Sequence, residues 1–424
     1  MGYCKRIIHN SLKAFRQFGG VVLLCVTICS MSALVCAEDW PTYRHDNRRS
    51  AVSAEIFDLD ALEEQWVYEA PYPPQPAWPG PAKWDSYARI IGLSAMRNYD
   101  PVFQVIAVGD AAYFGSSVED AVVCLDARTG ALRWSYTVDG PVRIAPTYCD
   151  GRLYFGADDG RVYCLNAADG AVLWQYSPVP DARLIPNNGK LISMWPVRTG
   201  VLVDAAKAYF GAALLPWRKA YFCAVDVQTG APEGDGLYVV EMNGVTMEGA
   251  LLASPTKLYV PQGRSAPMVL DRADGGRLGG LEGGGGVFAL LTPDMHLMHG
   301  PGNKTGWITE SDAETRDKIA SFADGHRMVA TQDRAYILKK AELLALDRAN
   351  KGAAIWQAPC LHTYDLILAG DVLFAGGHGE VAAYATRDGQ RLWARPVAGR
   401  AYALVVANGR LFVSTDTGAI HCFE

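Results

Sequence analysis

An internal repeat constrains the fold of this chain more than any other feature. The segment AVVCLDARTGALRWSY at 121–136 matches RVYCLNAADGAVLWQY at 161–176, and the intervening CDGRLYFGADDG is typical of a strand followed by a turn. A repeat of roughly 40 residues indicates stacked units or a closed ring. The fold class is therefore set by how often this unit recurs.

The strand-and-turn unit recurs eight times along the chain. An aromatic or aliphatic residue marks each copy, in the order Tyr113, Tyr154, Tyr209, Tyr259, Leu297, Tyr336, Phe374 and Phe412. The eighth copy stops at Glu424, before the G-x-x-x-W strand, whereas Trp66 and Tyr68 supply a matching W-x-Y near the start. We therefore predict that residues 62–69 pair with the strand near 411–414 or 419–423, which closes the ring and removes exposed sheet edges.

The repeat carries the pattern A/C-x-D-x-x-x-G-x-x-x-W. It reads Cys124-Asp126-Gly130-Trp134 in one copy, and it recurs with small changes at 164–174, 345–356 and 383–393. This pattern resembles the tryptophan-docking repeat of the PQQ-like, quinoprotein-type β-propellers. The resemblance covers roughly residues 60–424 and implies an all-β, eight-bladed β-propeller closed by its N-terminal strand. The same repeat builds quinone-dependent alcohol dehydrogenases and an outer-membrane assembly factor that binds proteins, so it predicts fold rather than chemistry.

The positions that recur between copies of the repeat have physical roles in such a fold. A flat Trp side chain fills the gap between adjacent blades while its indole N–H reaches a carbonyl, and glycine allows the positive φ of a hairpin turn. The residues assigned to this structural docking are Trp66, Trp134, Trp174, Trp356, Trp393, Gly130, Gly170 and Gly389.

The N-terminus has the features of a targeting segment. A region with four basic residues precedes an uncharged run from 19 to 37, and Val35-Cys36-Ala37 fits a signal-peptidase site. We predict a signal peptide at 1–37 with cleavage before Glu38. Two alternatives stay open: an uncleaved membrane anchor, because the run is just long enough to span a bilayer, and a lipoprotein through Cys36.

The predicted organisation is thus a signal peptide at 1–37 and a PQQ-like propeller at 38–424, with an ordered Pro- and Trp-rich excursion at 71–101. Cleavage would leave 35 basic and 45 acidic residues, a formal net charge of −10. An acidic exported chain is a poor candidate for binding nucleic acid or anionic membranes. We expect a periplasmic or secreted protein that is not integral to the membrane.

A catalytic reading finds little support in the residues. The family resemblance implies PQQ and Ca²⁺ as cofactors, but the related enzymes usually also have adjacent cysteines, which this sequence lacks. Asp100, Glu248 and Asp365 are the carboxylates expected near the starts of the innermost strands. We predict no catalytic residue, no metal ligand and at most one disulfide among the six cysteines that follow the signal peptide, namely Cys124, Cys149, Cys164, Cys223, Cys360 and Cys422.

One arginine recurs at a similar phase of several repeats, where the innermost strands begin. We predict that these arginines surround one mouth of the central channel and attract a ligand rich in carboxylate or phosphate; the alternative is that they pair with nearby carboxylates or lie in solvent. The set is Arg97, Arg143, Arg198, Arg327 and Arg400. The favoured interpretation is an exported scaffold for a protein partner or small anionic ligand, and the alternative is a PQQ/Ca-dependent quinoprotein oxidoreductase.

Overall fold

Short β-strands make up all the regular secondary structure of the residues that the structure describes. The computed structural model describes residues 37–78, 99–263, 265–301, 307–350 and 352–424, all within one unit, Cys36–Glu424. In these segments there is no helix, and hence no helix that is long and apolar enough to cross a membrane. The predicted signal peptide (residues 1–36 of it), most of the 71–101 excursion and Arg97 lie outside the described residues.

The strands follow each other in groups of four, each group forming an antiparallel sheet. Two strands come first: β1 (Val52–Ser53) and β2 (Glu64–Glu69). Sheet 1 contains β3 (Val105–Val108), β4 (Ala111–Ser116), β5 (Ala121–Asp126) and β6 (Leu132–Thr137). Sheet 2 contains β7 (Thr147–Cys149), β8 (Arg152–Gly156), β9 (Val162–Asn166) and β10 (Val172–Tyr176). A separate hairpin follows, of β11 (Leu184–Asn187) and β12 (Lys190–Ser193).

Four more groups continue the pattern. Sheet 3 contains β13 (Leu202–Asp204), β14 (Lys207–Ala212), β15 (Ala220–Asp226) and β16 (Tyr238–Met242). Sheet 4 contains β17 (Leu252–Ala253), β18 (Lys257–Gln262), β19 (Ser265–Asp271) and β20 (Arg277–Gly280). Sheet 5 contains β21 (Phe288–Leu291), β22 (His296–Gly300), β23 (Trp307–Asp312) and β24 (Lys318–Ala323). Sheet 6 contains β25 (Arg327–Ala330), β26 (Arg334–Leu338), β27 (Glu342–Asp347) and β28 (Ala353–Pro359).

The last group is an eight-stranded sheet in the order β1-β29-β30-β31-β32-β33-β34-β2. Its other strands are β29 (Asp365–Ala369), β30 (Val372–Gly376), β31 (His378–Ala385), β32 (Arg391–Ala407), β33 (Arg410–Thr415) and β34 (Ala419–Phe423). β32 is long enough to be the fourth strand of one group and the first strand of the next. This succession of four-stranded sheets is a propeller-like, all-β fold, as the repeat predicts.

Burial places the first strand of each sheet inside and the fourth outside. First strands such as β21 and β29 are buried along their whole length, whereas β2 and β6 alternate between exposed and half-buried residues. Alternation is typical of a strand with one face in water. First strands of several neighbouring sheets also contact each other, among them β7 with β13 and β25 with β29. The starts of the first strands therefore lie around one interior space.

The hairpin turn of the repeat forms for local reasons. In sheet 1, the Asp126 carboxylate accepts hydrogen bonds from the backbone N–H groups of Arg128 and Thr129, both at 3.0 Å. Gly130 then takes a φ of 70°, which suits glycine because it has no Cβ. The strand that follows brings Trp134 opposite Cys124. A carboxylate, a glycine and a Trp at this spacing thus fix the outer end of sheet 1.

The tryptophans dock onto the neighbouring sheet. Trp134 Nε1 donates to the Ala167 carbonyl of sheet 2 at 3.2 Å, and a Cβ added to Gly170 would lie 2.7 Å from the Trp134 ring. Only a glycine allows this contact. The same donor–acceptor pattern occurs at Trp66–Ala127, Trp174–Val227, Trp356–Thr386 and Trp393–Leu62, at 2.9 to 3.2 Å.

β2 completes the outer edge of the eight-stranded sheet. It pairs antiparallel with β34, and Trp66 lies opposite Cys422, just as Trp134 lies opposite Cys124. The predicted pairing between residues 62–69 and 419–423 is therefore present. Trp66 also packs on Gly130 of sheet 1, where an added Cβ would lie 2.6 Å from its ring.

The N-terminal segment, residues 40–53, has a structural role that the sequence analysis did not foresee. It crosses the interior space and hydrogen-bonds to the first strands, or the residues beside them, of most sheets. Its contacts are Trp40 with Ala107, Pro41 with Tyr148, Asn47 with Val203, Arg49 with Leu251, Arg48 with Leu291 and Ala51 with Leu368. The segment thus ties the sheets together from inside.

The backbone of this segment adopts an unusual conformation. Arg44, His45, Arg49 and Ala51 have φ values of 54°, 80°, 59° and 54°. Non-glycine residues seldom adopt such values, and they persist where surrounding contacts over-determine them. The hydrogen bonds to the inner strands provide those contacts.

Candidate functional site

Two of the predicted arginines meet in a buried ion-pair network. Arg143 precedes β7 and Arg198 precedes β13, so both lie where a first strand begins. Asp158, in the turn between β8 and β9, accepts from Arg143 Nε at 2.6 Å and from Arg198 Nε and Nη2 at 2.8 Å each. Arg143 Nη1 also donates to Asp100 at 2.6 Å, and Arg198 Nη1 lies 3.3 Å from Glu248. For these two arginines the structure shows the pairing alternative.

Burial and charge act against each other in this network. The side chains of Arg198 and Glu248 are 0% exposed. Burial raises the pKa of Asp158, but the guanidinium groups of Arg143 and Arg198 outweigh burial and lower it. For Asp100, burial is the larger effect and raises its pKa despite Arg143. The network thus favours the ionised form of Asp158, whereas ionisation of Asp100 costs free energy.

The remaining predicted arginines lie elsewhere. Arg327, at the start of β25, is half-buried and donates to the His326 carbonyl at 3.0 Å. Arg400, within β32, is 48% exposed and lies 3.5 Å from the Asp416 carboxylate. Arg97 lies outside the described residues. Ligand binding by the arginine set stays a prediction.

A small pocket lies beside this network, between the first strands of several sheets. The N-terminal segment contributes Trp40 and Arg44 to its lining, and Tyr99, Arg327 and Asp365 line it as well. Its volume is about 30 Å³, enough for roughly two water molecules at 10–15 Å³ each. Arg327, one of the predicted arginines, thus lies at this pocket.

Three hydrogen-bond donors in this lining have no partner in the described part of the chain. They are Trp40 Nε1, Arg44 Nε and Tyr99 Oη, and all three residues are at least nine-tenths buried. An unsatisfied buried donor costs about 1–3 kcal/mol. Native proteins seldom leave several such groups side by side without a reason.

Asp365 holds Arg44 in place at this pocket. Its carboxylate accepts from Arg44 Nη1 at 2.7 Å and from the Leu404 N–H at 3.0 Å, and Arg44 Nη2 donates to the Leu366 carbonyl at 3.0 Å. The guanidinium also lies 5.8 Å from the centre of the Phe288 ring. Arg44 is therefore fixed on all sides except at Nε.

Sequence reasoning missed the residues that organise both sites. Asp158 lies in a D-D-G turn, where an aspartate is common for local reasons, so nothing in the sequence distinguished it. Trp40, Arg44 and Arg49 belong to EDWPTYRHDNRRSAVS, which contains no repeat motif. Burial lowers the pKa of Arg49 to about 10, a perturbation that depends on the interior space and not on sequence neighbours.

The donor set does not fit the calcium and quinone of the related enzymes. Asp100, Asp158 and Glu248 are the carboxylates of the buried ion-pair network, and each already contacts a guanidinium. Calcium prefers six to eight oxygen ligands, whereas each of these carboxylates has an oxygen that faces a cation. No group of three metal-binding side chains occurs in the described residues, in which the six cysteines are free. The pocket is also too small for a fused-ring quinone without rearrangement.

Comparison with known families agrees with the repeat. A family model described as outer membrane protein assembly factor BamB matches residues 94–233 and 268–424. The chain belongs to this BamB family. The predicted resemblance to PQQ-like repeat propellers is thereby confirmed.

Solved structures similar to this BamB-family chain include two dehydrogenases and Sqt1. Quinohemoprotein alcohol dehydrogenase from Comamonas testosteroni has 15% identity and a TM-score of 0.62, covering 91% of this chain and 80% of its own. A europium-containing methanol dehydrogenase has 13% identity and a TM-score of 0.58, covering 89% of both chains. Sqt1 from Saccharomyces cerevisiae has 14% identity and a TM-score of 0.58, covering 77% of this chain and 96% of its own. At such identities the likeness shows the fold alone.

A search of curated protein sequences gave no significant match. The function proposed below therefore rests on the residues of this BamB-family chain.

Proposed function

We propose that this chain is an exported, eight-bladed propeller, closed by β2, that acts as a binding scaffold rather than an enzyme. Sheets 1 to 6 supply six blades, and the eight-stranded sheet divides at β32 into two more. The contacts of Trp66 with Gly130 and of Trp393 with Leu62 support closure, because they repeat the docking seen between other neighbouring sheets.

The pairing of Asp158 and Glu248 with neighbouring side chains is the observation that carries the scaffold proposal. A catalytic acid or base needs a free position toward its substrate. Asp158 instead accepts three hydrogen bonds from two guanidinium groups, and Glu248 lies against Arg198 and Trp78. We infer that Asp158 and Glu248 stabilise the buried network and do not act on a substrate.

The proposed setting is the periplasm or the cell exterior, after removal of residues 1–37. The family description, an outer membrane assembly factor, supports both that setting and a protein partner. A small anionic ligand is the other proposed guest. In that case Arg327 and Arg400 are the more accessible members of the arginine set, while Arg143 and Arg198 fix the shape of the mouth. Nucleic acid is not a proposed partner, because residues 38–424 have a formal net charge of −10.

The alternative is a PQQ/Ca-dependent oxidoreductase, and a direct assay separates the two. The purified protein is incubated with PQQ and CaCl₂, and reduction of an artificial dye is followed with a series of primary alcohols. The scaffold proposal expects no PQQ-dependent dye reduction, with a quinoprotein dehydrogenase as the positive control. Alcohol-dependent reduction that requires both PQQ and calcium would overturn it.

A further inference from the structure

We infer that the small pocket beside the N-terminal segment binds a carboxylate group, through the Trp40 indole N–H, the Arg44 Nε–H and the Tyr99 hydroxyl. This inference rests on the proposed scaffold function and names a class of ligand for it. The observation behind it is the coincidence of three unpartnered, buried donors in the lining of one pocket.

The chemistry of these donors selects an acceptor. Indole and guanidinium N–H groups donate and do not accept, so a ligand must bring lone pairs to Trp40 and Arg44. The Tyr99 hydroxyl is able to donate to the same group. A metal cation or a protonated amine has no lone pair to offer the first two donors. The occupant is therefore an oxygen-rich acceptor.

The charge of the lining selects an anion. Among the described residues that line the pocket, the charged side chains are Arg44, Arg327 and Asp365, a formal sum of +1. Asp365 is engaged by Arg44 and by the Leu404 N–H. A local positive charge within low-dielectric walls attracts an anion more strongly than the same charge in open solvent, although the chain as a whole is acidic.

The size of the pocket limits the occupant to a small group. A volume of about 30 Å³ suits a planar carboxylate such as that of acetate, or the carboxylate end of a longer molecule that reaches in from the mouth. A tetrahedral oxyanion such as phosphate is bulkier and carries more charge. We therefore assign a carboxylate, and acetate, succinate and inorganic phosphate are the probes that distinguish the sources.

The experiment follows indole N–H signals by ¹H–¹⁵N NMR during titration with each probe at constant ionic strength, with chloride as the control anion. The Trp40 signal is assigned by its loss in Trp40→Phe. We expect a saturable shift of the Trp40 signal with acetate, or with succinate if the ligand is longer. The signal of Trp217, which is 75% exposed, should not shift.

Tyr99→Phe provides the decisive variant. It removes a hydroxyl that has no partner in the described residues, so a merely structural role predicts unchanged folding and unchanged carboxylate binding. We expect an unchanged or higher Tm and binding weakened at least about tenfold, since a hydrogen bond to a charged group is lost. Tyr72→Phe, at an exposed tyrosine outside the pocket, is the matched control and should bind as the native chain does.

Three outcomes would overturn the inference: no saturable Trp40 shift with acetate or succinate, a shift with phosphate alone, or equal affinity in Tyr99→Phe. None of them depends on dye reduction, so failure of the carboxylate site and failure of the scaffold proposal are separate results.

Discussion

The substitution Asp158→Asn tests whether the buried ion-pair network stabilises the fold. Asp158 accepts three hydrogen bonds, one from Arg143 and two from Arg198. Asparagine keeps the shape of the side chain but loses the charge and turns an N–H donor toward guanidinium donors. Among the described carboxylates, Arg143 then keeps Asp100 and Arg198 keeps Glu248 as a partner.

The expected cost follows from the burial of these groups. Removing one partner of a buried ion pair costs about 3–5 kcal/mol, because the other charge is left uncompensated. With unfolding entropy of about 2.1 cal/mol/K per residue, a chain of this length loses roughly 0.8 kcal/mol of stability per degree near its Tm. We therefore expect Tm to fall by about 4–6 °C, measured by calorimetry and checked by urea denaturation.

A matched control separates the network from the effect of any Asp→Asn change. Asp139 pairs with Arg161 at 3.9 Å and is 86% exposed, and such exposed pairs contribute little. Asp139→Asn should therefore shift Tm by no more than about 1 °C. If the Tm of Asp158→Asn also shifts by no more than about 1 °C, the buried ion-pair network does not stabilise the fold and the expected role of Asp158 is wrong.

Three further predictions concern docking, pH and closure. Trp174→Ala should lower the free energy of unfolding by roughly 3–5 kcal/mol, measured by urea denaturation, because the indole fills the gap between sheets. Trp217→Ala, at an exposed site, should leave the urea midpoint unchanged. Equal effects of the two substitutions would contradict the docking role of Trp174. Burial lowers the pKa of His299 from its ordinary 6.5 to about 4. As pH falls, the unfolded chain therefore binds this proton before the folded chain does, and stability should fall between about pH 6.5 and pH 4. His299→Gln should flatten the plot of Tm against pH in that window, and a profile identical to that of the native chain would refute the role of His299. Deleting residues 38–70 removes β2 and the N-terminal segment, so Tm should drop sharply and aggregation should rise in light scattering, while an unchanged melting curve would exclude ring closure.

The sequence by itself determined the all-β repeat, the docking positions and the family. These follow from local chemistry that several copies carry: the aspartate that caps a turn, the glycine that permits a positive φ, and the Trp that lies opposite a small residue. The W-x-Y at Trp66 was enough to predict the pairing of β2 with β34. The repeat made these features predictable because several copies make the same contact.

The tertiary structure alone decided what happens at the centre. Arg143 and Arg198 were found from their phase in the repeat, but their partner Asp158 belongs to a turn with an ordinary sequence. The Arg198–Asp158 ion pair forms only when sheets 2 and 3 meet. The N-terminal segment has no repeat, so the burial of Arg44 and Arg49 was invisible until the inner strands enclosed it. Side chains far apart in sequence meet there because the first strands of all the sheets converge on one space. Burial in that space, which no local pattern encodes, determines their charges and their partners.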